Sequence, residues 1–492
     1  MESDGRITAF EKGIFLHAIR HLSDYMENQN PDQKQESNGK LDFKKILPIF
    51  VIVMVDLLGL TIIIPLLPLY AASFNATPIL IGVIGAAYPV MQFIGAPILG
   101  RLSDKYGRKP VLIISQIGTF IGFVILGFAN SLWLVLLSRL IDGISGANIA
   151  TAQAAISDST TDENRTQGLG LIGAAFGIGF ILGPVIAFVA LSASGNNYHV
   201  PAFLAAIFSL ISILLTIFWL PETLPPEKRG QTDTRSVFSF NALFKAVSHP
   251  AVGFLLVLLF AQQIAFGGFE QMLALFTLTQ LGMNASRNAI IFVYVGLIVV
   301  AVQGYFIGRW SRRVGDRRLV YFGLATLAVG LTILAFTPRV PPPGYSREAL
   351  KNELTSSGES RPLENPSSQS LSVDLPQDTN NGWSGIVWIL AAMVPISIGG
   401  GILHPTINSL ITKRVEHQEV GGMLGISASM FSAANAVAPL LGGVIFQTLG
   451  PWAPFLLGGL IMGVLLVLAV QLIKPGRENE LQPSAGHSPA GG

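Results

Sequence analysis

The chain has 492 residues, of which 50% are hydrophobic and only 12% charged, and its net charge is +2. A soluble chain carries about 25% charged residues, so with a mean hydropathy of +0.56 an ordinary soluble protein is excluded, and so small a net charge gives no reason to expect nucleic acid as a partner. There is no cysteine, which excludes disulfides and thiolate metal sites and leaves the redox compartment open.

Residues 1–45 are polar and contain no cleavable-signal pattern: the first apolar run is short and broken by charges. Within them Ile7, Phe10, Ile14, Ala18, Leu22 and Tyr25 recur at helical spacing, which fits either a helix lying on a membrane surface or an ordinary tail. Apolar runs of roughly 20 residues, enough to cross ~30 Å of hydrocarbon, then recur over about 46–70, 79–100, 110–129, 131–156, 166–191, 200–220, 250–278, 288–309, 318–337, 384–411, 419–447 and 452–473. The runs are continuous rather than alternating, so they read as helices and not as a barrel. The expected fold is an all-α membrane protein of twelve transmembrane helices, for which the lipid bilayer is solvent.

Two connections are long. Residues 221–249 form a polar linker at the midpoint, and residues 338–383, rich in Pro, Ser, Glu and Asn, read as a mobile insertion. Lys and Arg concentrate on one side, in the connections after spans 2, 4, 6, 8 and 10, whereas the short connections on the other side hold only Arg287. By the positive-inside rule both termini, 1–45 and 474–492, are cytoplasmic in a multi-pass protein of the cell membrane. All six tryptophans (133, 219, 310, 383, 388 and 452) fall near span ends, as an aromatic belt requires.

The most informative connection is Gly100-Arg-Leu-Ser-Asp104-Lys-Tyr-Gly107-Arg108-Lys-Pro110, which packs four cations and one acid between two apolar runs. It has a second copy, Gly308-Arg-Trp-Ser-Arg312-Arg-Val-Gly315-Asp-Arg-Arg318, and Ser145–Asp158 aligns in the same way with Gly400–Lys413. The chain therefore reads as two pseudo-symmetric six-helix bundles, 46–220 and 250–473, joined by the linker, with 338–383 inserted in the second. Duplicated halves with a site at their interface are transporter architecture.

Ionisable groups inside a span are costly and mark function. Asp56 lies near the middle of span 1 and is a candidate for proton or substrate coupling, the alternative being a structural carboxylate bonded to a neighbouring helix. Arg139, Asp142, Gly146 and Gln153 in span 4 are spaced as one helical stripe. Arg139 and Asp142 form either a permanent pair or one that opens on protonation or substrate arrival. Glu270 in span 7 shares a face with Gln263 and Gly267. It would attract a cationic substrate or carry a second proton, or else sit solvated at the outer mouth. Gln92, Asn148, Gln303, His404, Asn408 and Asn435 are further polar positions that either line a cavity or join helices. His404, ahead of Pro405, is a proton-relay candidate or a satisfied structural histidine. Asn75-Ala-Thr77 and Asn284-Ala-Ser286 fit the glycosylation pattern but lie in short connections close to the membrane, where chance matches are expected.

Gly100-x-Leu-x-Asp104-x-x-Gly107-Arg108-Lys109 resembles the hallmark loop of the major facilitator superfamily. Arg139-Leu-Ile-Asp142-Gly143-Ile-Ser-Gly146-Ala147 is similar to its span 4 motif, and Gly173, Gly177, Gly179, Gly183 and Pro184 resemble the span 5 motif of its antiporters. Asp56-Leu-Leu-Gly59 with Pro65 and Pro68 is similar to the drug:proton antiporter branch, which includes tetracycline and multidrug efflux proteins. The resemblance covers about 46–473. It implies two bundles working by alternating access and proton-coupled export, by a monomer, of a small amphipathic or cationic compound, and a role for Arg139 in coupling. The sequence departs from the family's pattern at Asp142, where a neutral residue is usual, at Arg312, which replaces the acid of the loop, and at Ala187-Phe188, which replaces paired glycines.

Gly173, Gly177, Gly183 and Pro184 are expected to serve packing and bending rather than binding. Gly100, Asp104, Gly107 and Arg108 are expected to form a cytoplasmic gate latch. Only this copy of the loop would pair charge with charge, or an acid with a helix N-terminus, across the halves. The alternative function is a facilitator or symporter for a polar metabolite, and a third reading is a sensor or scaffold on a transporter fold. An enzyme is not expected: no nucleotide loop, nucleophile–base set, catalytic residue, metal ligand cluster or cofactor motif occurs.

Overall fold

The computed structural model describes residues 43–161, 164–230, 240–358, 373–378, 381–415 and 419–473. Most of the N-terminal tail, the C-terminal tail and much of the insertion lie outside these, including the amphipathic pattern of residues 7–25. Among the described residues, twelve helices are long and apolar enough to cross a membrane.

In the first half these are α1 (Phe43–Ile63), α3 (Pro78–Tyr106), α4 (Arg108–Gly127), the pair α5 (Leu132–Ser145) and α6 (Asn148–Asp158), α7 (Arg165–Ala193) and α8 (His199–Trp219), with a short α2 (Leu67–Ser73) after α1. The linker carries α9 (Phe240–Val247). The second half holds α10 (Gly253–Leu281), α11 (Ala285–Ala301) continuing through a π turn (Val302–Phe306) into α12 (Ile307–Val314), then α13 (Asp316–Ala335), α15 (Ser384–Arg414), α16 (Val420–Leu449) and α17 (Ala453–Leu472). Between α13 and α15 the insertion forms α14 (Arg347–Gly358).

Local chemistry explains the breaks. Pro65 lacks a backbone N–H group and ends α1 after Ile63, and the chain turns and restarts as α2 with Pro68 in its first turn, where no N–H partner is needed. The charged stretch after Gly100 is not a loop. It continues α3 to Tyr106, and α4 begins at Arg108, with Gly107 alone at φ 107° forming the break. Gly315 at φ 82° does the same between α12 and α13. Positive φ suits glycine, and both chains reverse within one residue. The span 4 stripe is likewise interrupted: α5 ends at Ser145, a turn passes through Gly146 and Ala147, and α6 restarts at Asn148. Gln153 is therefore exposed, while Arg139, Asp142 and Gly146 are buried.

The two halves touch at one end. A Cβ on Gly82 or Gly443 would collide with the facing backbone of Pro439 or Pro78, so α3 and α16 approach as closely as backbones can. Gly296 of α11 packs in the same way on Phe180 of α7. The main apolar core runs through both halves here and includes Tyr345, Leu350 and Leu354 of the insertion. Two smaller cores, one around Ile49 and Ala155 and one around Leu319 and Ile402, each belong to a single half. Towards the other end, which carries the linker, Gly170 and Gly173 of α7 and Gly421, Gly422 and Gly425 of α16 have no neighbour where a Cβ would sit. The halves are thus closed at the insertion end and apart at the linker end.

This corrects two expectations. Of the span 5 glycines only Gly183 seats tightly within its own half, against Thr61 of α1, whereas Gly177 meets Val300 of the opposite half and Gly173 is open. Pro184 lies inside the continuous helix α7. The insertion, read as a mobile loop, contains packed structure: Leu354 is 0% and Leu350 and Tyr345 are each 6% exposed. Burying each such side chain contributes about 1.5–3 kcal/mol, which holds the segment on the bundle.

Candidate functional site

Asp56, Asn148, Arg139 and Asp142 gather inside the first half. Asn148 opens α6, just past the Gly146 turn, and its Nδ2 donates to Asp56 Oδ2 at 2.9 Å. Asp56 Oδ1 is buried without a hydrogen-bond partner in the protein. A pocket beside it is lined by Ile52, Val53, Gln116, Asn148 and Leu220. Asp142 and Arg139 are each 1% exposed. Arg139 Nη1 lies 3.1 Å from Asp142 Oδ2, yet that oxygen and Arg139 Nη2 make no hydrogen bond. The guanidinium faces the Phe123 ring at 5.5 Å, a cation–π distance. Gly122 of α4 makes room, since a Cβ there would meet Asp142 Cβ at 3.0 Å.

Tyr88, absent from the candidates above, completes this group. Its phenol lies within electrostatic reach of Asp56, Asp142 and Arg139. Gln92, one turn on, donates Nε2 to Tyr88 Oη at 3.2 Å and to the Gly146 carbonyl at 3.0 Å. The span 4 glycines admit this ring: a Cβ on Gly143 would strike the Tyr88 backbone, and one on Gly146 its hydroxyl. A buried polar group without a partner costs about 1–3 kcal/mol, and several are concentrated here. Such a cluster can accept protons or a polar ligand group without first breaking a protein bond.

The second half is more dispersed. Gln263 Nε2 donates to Asn435 Oδ1 at 2.8 Å, and Gly267 faces the same amide. Asn408 joins His404 Nε2 at 3.4 Å to Ser427, whose hydroxyl donates to Asn408 Oδ1 at 2.6 Å. His404 also stacks obliquely on Phe431, ring centres 4.6 Å apart. Gln303 sits in the π turn and donates to the Gly401 carbonyl at 3.3 Å. Single π turns inside helices recur at functional sites. The structure does not join Glu270, Gln303 and His404 into one constellation.

The two glycine-break motifs are electrostatic inverses. In the first, Arg108 Nη1 donates to Asp104 Oδ1 at 2.5 Å and to Ser103 Oγ at 2.7 Å, and its Nε donates to Asp158 Oδ2 at 2.8 Å. The backbone N–H groups of Arg108 and Lys109 donate to Glu222 of the linker. In the second, Asp316 occupies the place of Arg108. It accepts from Ser311, from Ser409 Oγ at 2.6 Å and from Lys413 Nζ at 2.6 Å, and Lys413 holds the place of Asp158. The second copy therefore does pair charge with charge, contrary to expectation, with the signs exchanged. Nor do Asp104 and Arg108 reach across the halves: their partners lie in the first half and the linker.

The model of the Major Facilitator Superfamily matches residues 49–346 and 380–490. The tetracycline resistance protein, class B, of Escherichia coli is 28% identical over 81% of this chain and 87% of its own length. Multidrug resistance protein 2 of Bacillus subtilis (strain 168) is 26% identical over 85% of this chain and 92% of its own. The crystal structure of the human organic anion transporter MFSD10 (TETRAN) superposes with a TM-score of 0.54 over 91% of this chain and 100% of that one, at 22% identity. With twelve spans, a duplicated glycine-break motif and a family match over most of its length, this chain belongs to the Major Facilitator Superfamily of membrane transporters.

Proposed function

We propose that the protein is a proton-coupled antiporter that exports a small amphipathic or cationic compound by alternating access, with the linker end and both termini on the cytoplasmic side. The observation that carries this reading is the buried pair of acids, Asp56 and Asp142, each keeping one carboxylate oxygen without a hydrogen-bond partner beside Arg139 and Tyr88. Carboxylates placed in hydrocarbon at such cost are retained where they carry charge or protons. The similarity to tetracycline and multidrug resistance proteins supports export of a drug-like compound in this reading. The state described, apart at the linker end and closed at the other, is the one that would load substrate from the cytoplasm.

Reconstituted into liposomes and given a pH gradient, the protein is expected to accumulate tetracycline or the cationic dye ethidium against its concentration, and to lose that accumulation when the gradient is collapsed. Transport indifferent to the gradient would instead indicate a facilitator.

In the same assay Asp104→Asn is expected to lower turnover about tenfold, the size of a 1–2 kcal/mol coupling, with little change in the half-saturating concentration. Asp104 holds Arg108 and lies far along α3 from the acids, so it would govern the conformational change rather than contact substrate. A loss confined to affinity would count against that assignment.

A further inference from the structure

The insertion has no counterpart in the first half, and its helix α14 ends on a junction between the halves. Glu353 Oε2 accepts from Asn284 Nδ2 at 3.1 Å and from Asn196 Nδ2 at 3.4 Å. Asn196 belongs to the first half, in the turn between α7 and α8, where it holds the left-handed φ of 62°. Asn284 belongs to the second half and caps α11, its Oδ1 accepting from Arg287 N at 3.2 Å. Asn196 Oδ1 also accepts from the backbone N–H of Ser286 at 3.3 Å. One carboxylate oxygen therefore ties three segments that belong to different parts of the molecule. Both functions of the Asn284 amide are taken.

We propose that Glu353 is the latch of the insertion end, holding the two halves together in the closed state and releasing one of them when that end opens. This rests on the alternating-access reading above. Apart from the Asn196–Ser286 bond, the rest of this seam is weakly directional. The α3–α16 contact is glycine-lined backbone packing joined by the Ile79 N–H to Gln447 Oε1 bond at 3.1 Å. The Glu353 bonds form only while the Asn196 turn, the α11 cap and α14 are in register, so their loss separates closed from open as a discrete step. Leu350 and Leu354, one turn apart on α14, anchor the helix in the core and fix Glu353 over the junction. Tyr345 packs on Gly282 at the left-handed end of α10 and donates to the Pro376 carbonyl at 2.9 Å, which fixes the start of the insertion.

The groups facing Glu353 set a pH dependence. Burial pushes its carboxyl up from the ordinary range, while Asn284, the positive charge of Arg287 and Asn196 act against this. The Tyr198 phenol lies on the same side, within electrostatic reach. In an open end the carboxyl would return to water and to its ordinary value near 4.3. The closed state thus binds the proton more tightly. Its advantage is complete below the ordinary value and fades as pH rises through the raised one.

The chain's lack of cysteine makes the test direct. Cysteines introduced at Ile79 and Gln447, joined by a short bifunctional thiol reagent in liposomes, report closure of this end without substrate or gradient. A chain that transported nothing would still report the latch. Glu353→Ala is expected to lower the cross-linking yield several-fold. Glu353→Gln keeps an acceptor oxygen and is expected to retain the yield while flattening its fall with pH. Asn196→Gly keeps the left-handed turn and leaves α14 untouched but removes the bonds to both Glu353 and Ser286; it is expected to lower the yield as well, and an unchanged yield there counts against the latch if Glu353→Ala does not fold. Parental yield in folded Glu353→Ala, or in Asn196→Gly where Glu353→Ala does not fold, overturns the proposal.

Discussion

Asp56→Asn is expected to abolish proton-driven accumulation while leaving the fold and substrate-for-substrate exchange intact. The side chain is nearly isosteric, and its amide oxygen can accept the Asn148 bond that Asp56 Oδ2 now takes at 2.9 Å. What it cannot do is bind and release a proton. Under the antiport proposed, one proton exchanged per substrate across a gradient of one pH unit is worth about 1.4 kcal/mol, or about tenfold accumulation. The variant should reach equal concentrations on both sides whatever the gradient. Its thermal transition should stay near the parent's, because no partner is left unpaired that was paired before. Accumulation by Asp56→Asn with the parent's pH dependence would remove Asp56 from the coupling step and leave Asp142 as the remaining acid of the cluster.

The fold was legible because hydrocarbon thickness is a blunt constraint. A run of about 20 apolar residues has few other uses, and a duplicated Gly-x-x-Ser-x-x-x-Gly spacing fixes which runs correspond. The details depend on what each side chain faces, and hydropathy does not report that. Gly173 and Gly183 stand in one motif, yet one is open to the gap between the halves and the other is pressed on Thr61. Tyr88, in a span rich in alanine and glycine, reads as an aromatic core residue, and only its position opposite Gly143 and Gly146 makes it part of the acid cluster. The insertion's Ser, Pro and Glu content hid α14, although Leu350 and Leu354 at one-turn spacing marked a buried face. The inverted ion pair was visible in the alignment itself. Asp316 falls on Arg108 and Lys413 on Asp158, so both members change sign together, which conserves attraction where either change alone would create repulsion.

The pair Arg139–Asp142 separates a structural from a working role by a contrast between one substitution and two. Asp142→Ala leaves the Arg139 guanidinium, 1% exposed, without its counter-ion. Removing one partner of a buried pair costs about 3–5 kcal/mol, and the remaining cation–π contact with Phe123 recovers only about 1–2 kcal/mol of attraction that is already present. The single variant is expected to fold poorly, with a clearly lowered thermal transition. Arg139→Met combined with Asp142→Asn removes both charges at nearly constant shape, which matters because Gly122 leaves little room beside Asp142. Replacing a whole buried pair by neutral groups is often close to neutral for stability, so the double variant should regain most of the lost transition temperature. A pair that only cemented α5 in place would then return transport along with the fold. A pair that must open and close as protons arrive would return the fold alone. The ion pair leaves Arg139 Nη2 without a hydrogen bond and gives Asp142 Oδ2 no well-formed one, which favours the second outcome, since a pair selected purely for stability would be expected to satisfy every polar atom it buries. A stable, transport-inactive double variant is therefore the expected result, and one that transports at the parental rate would assign the pair to architecture.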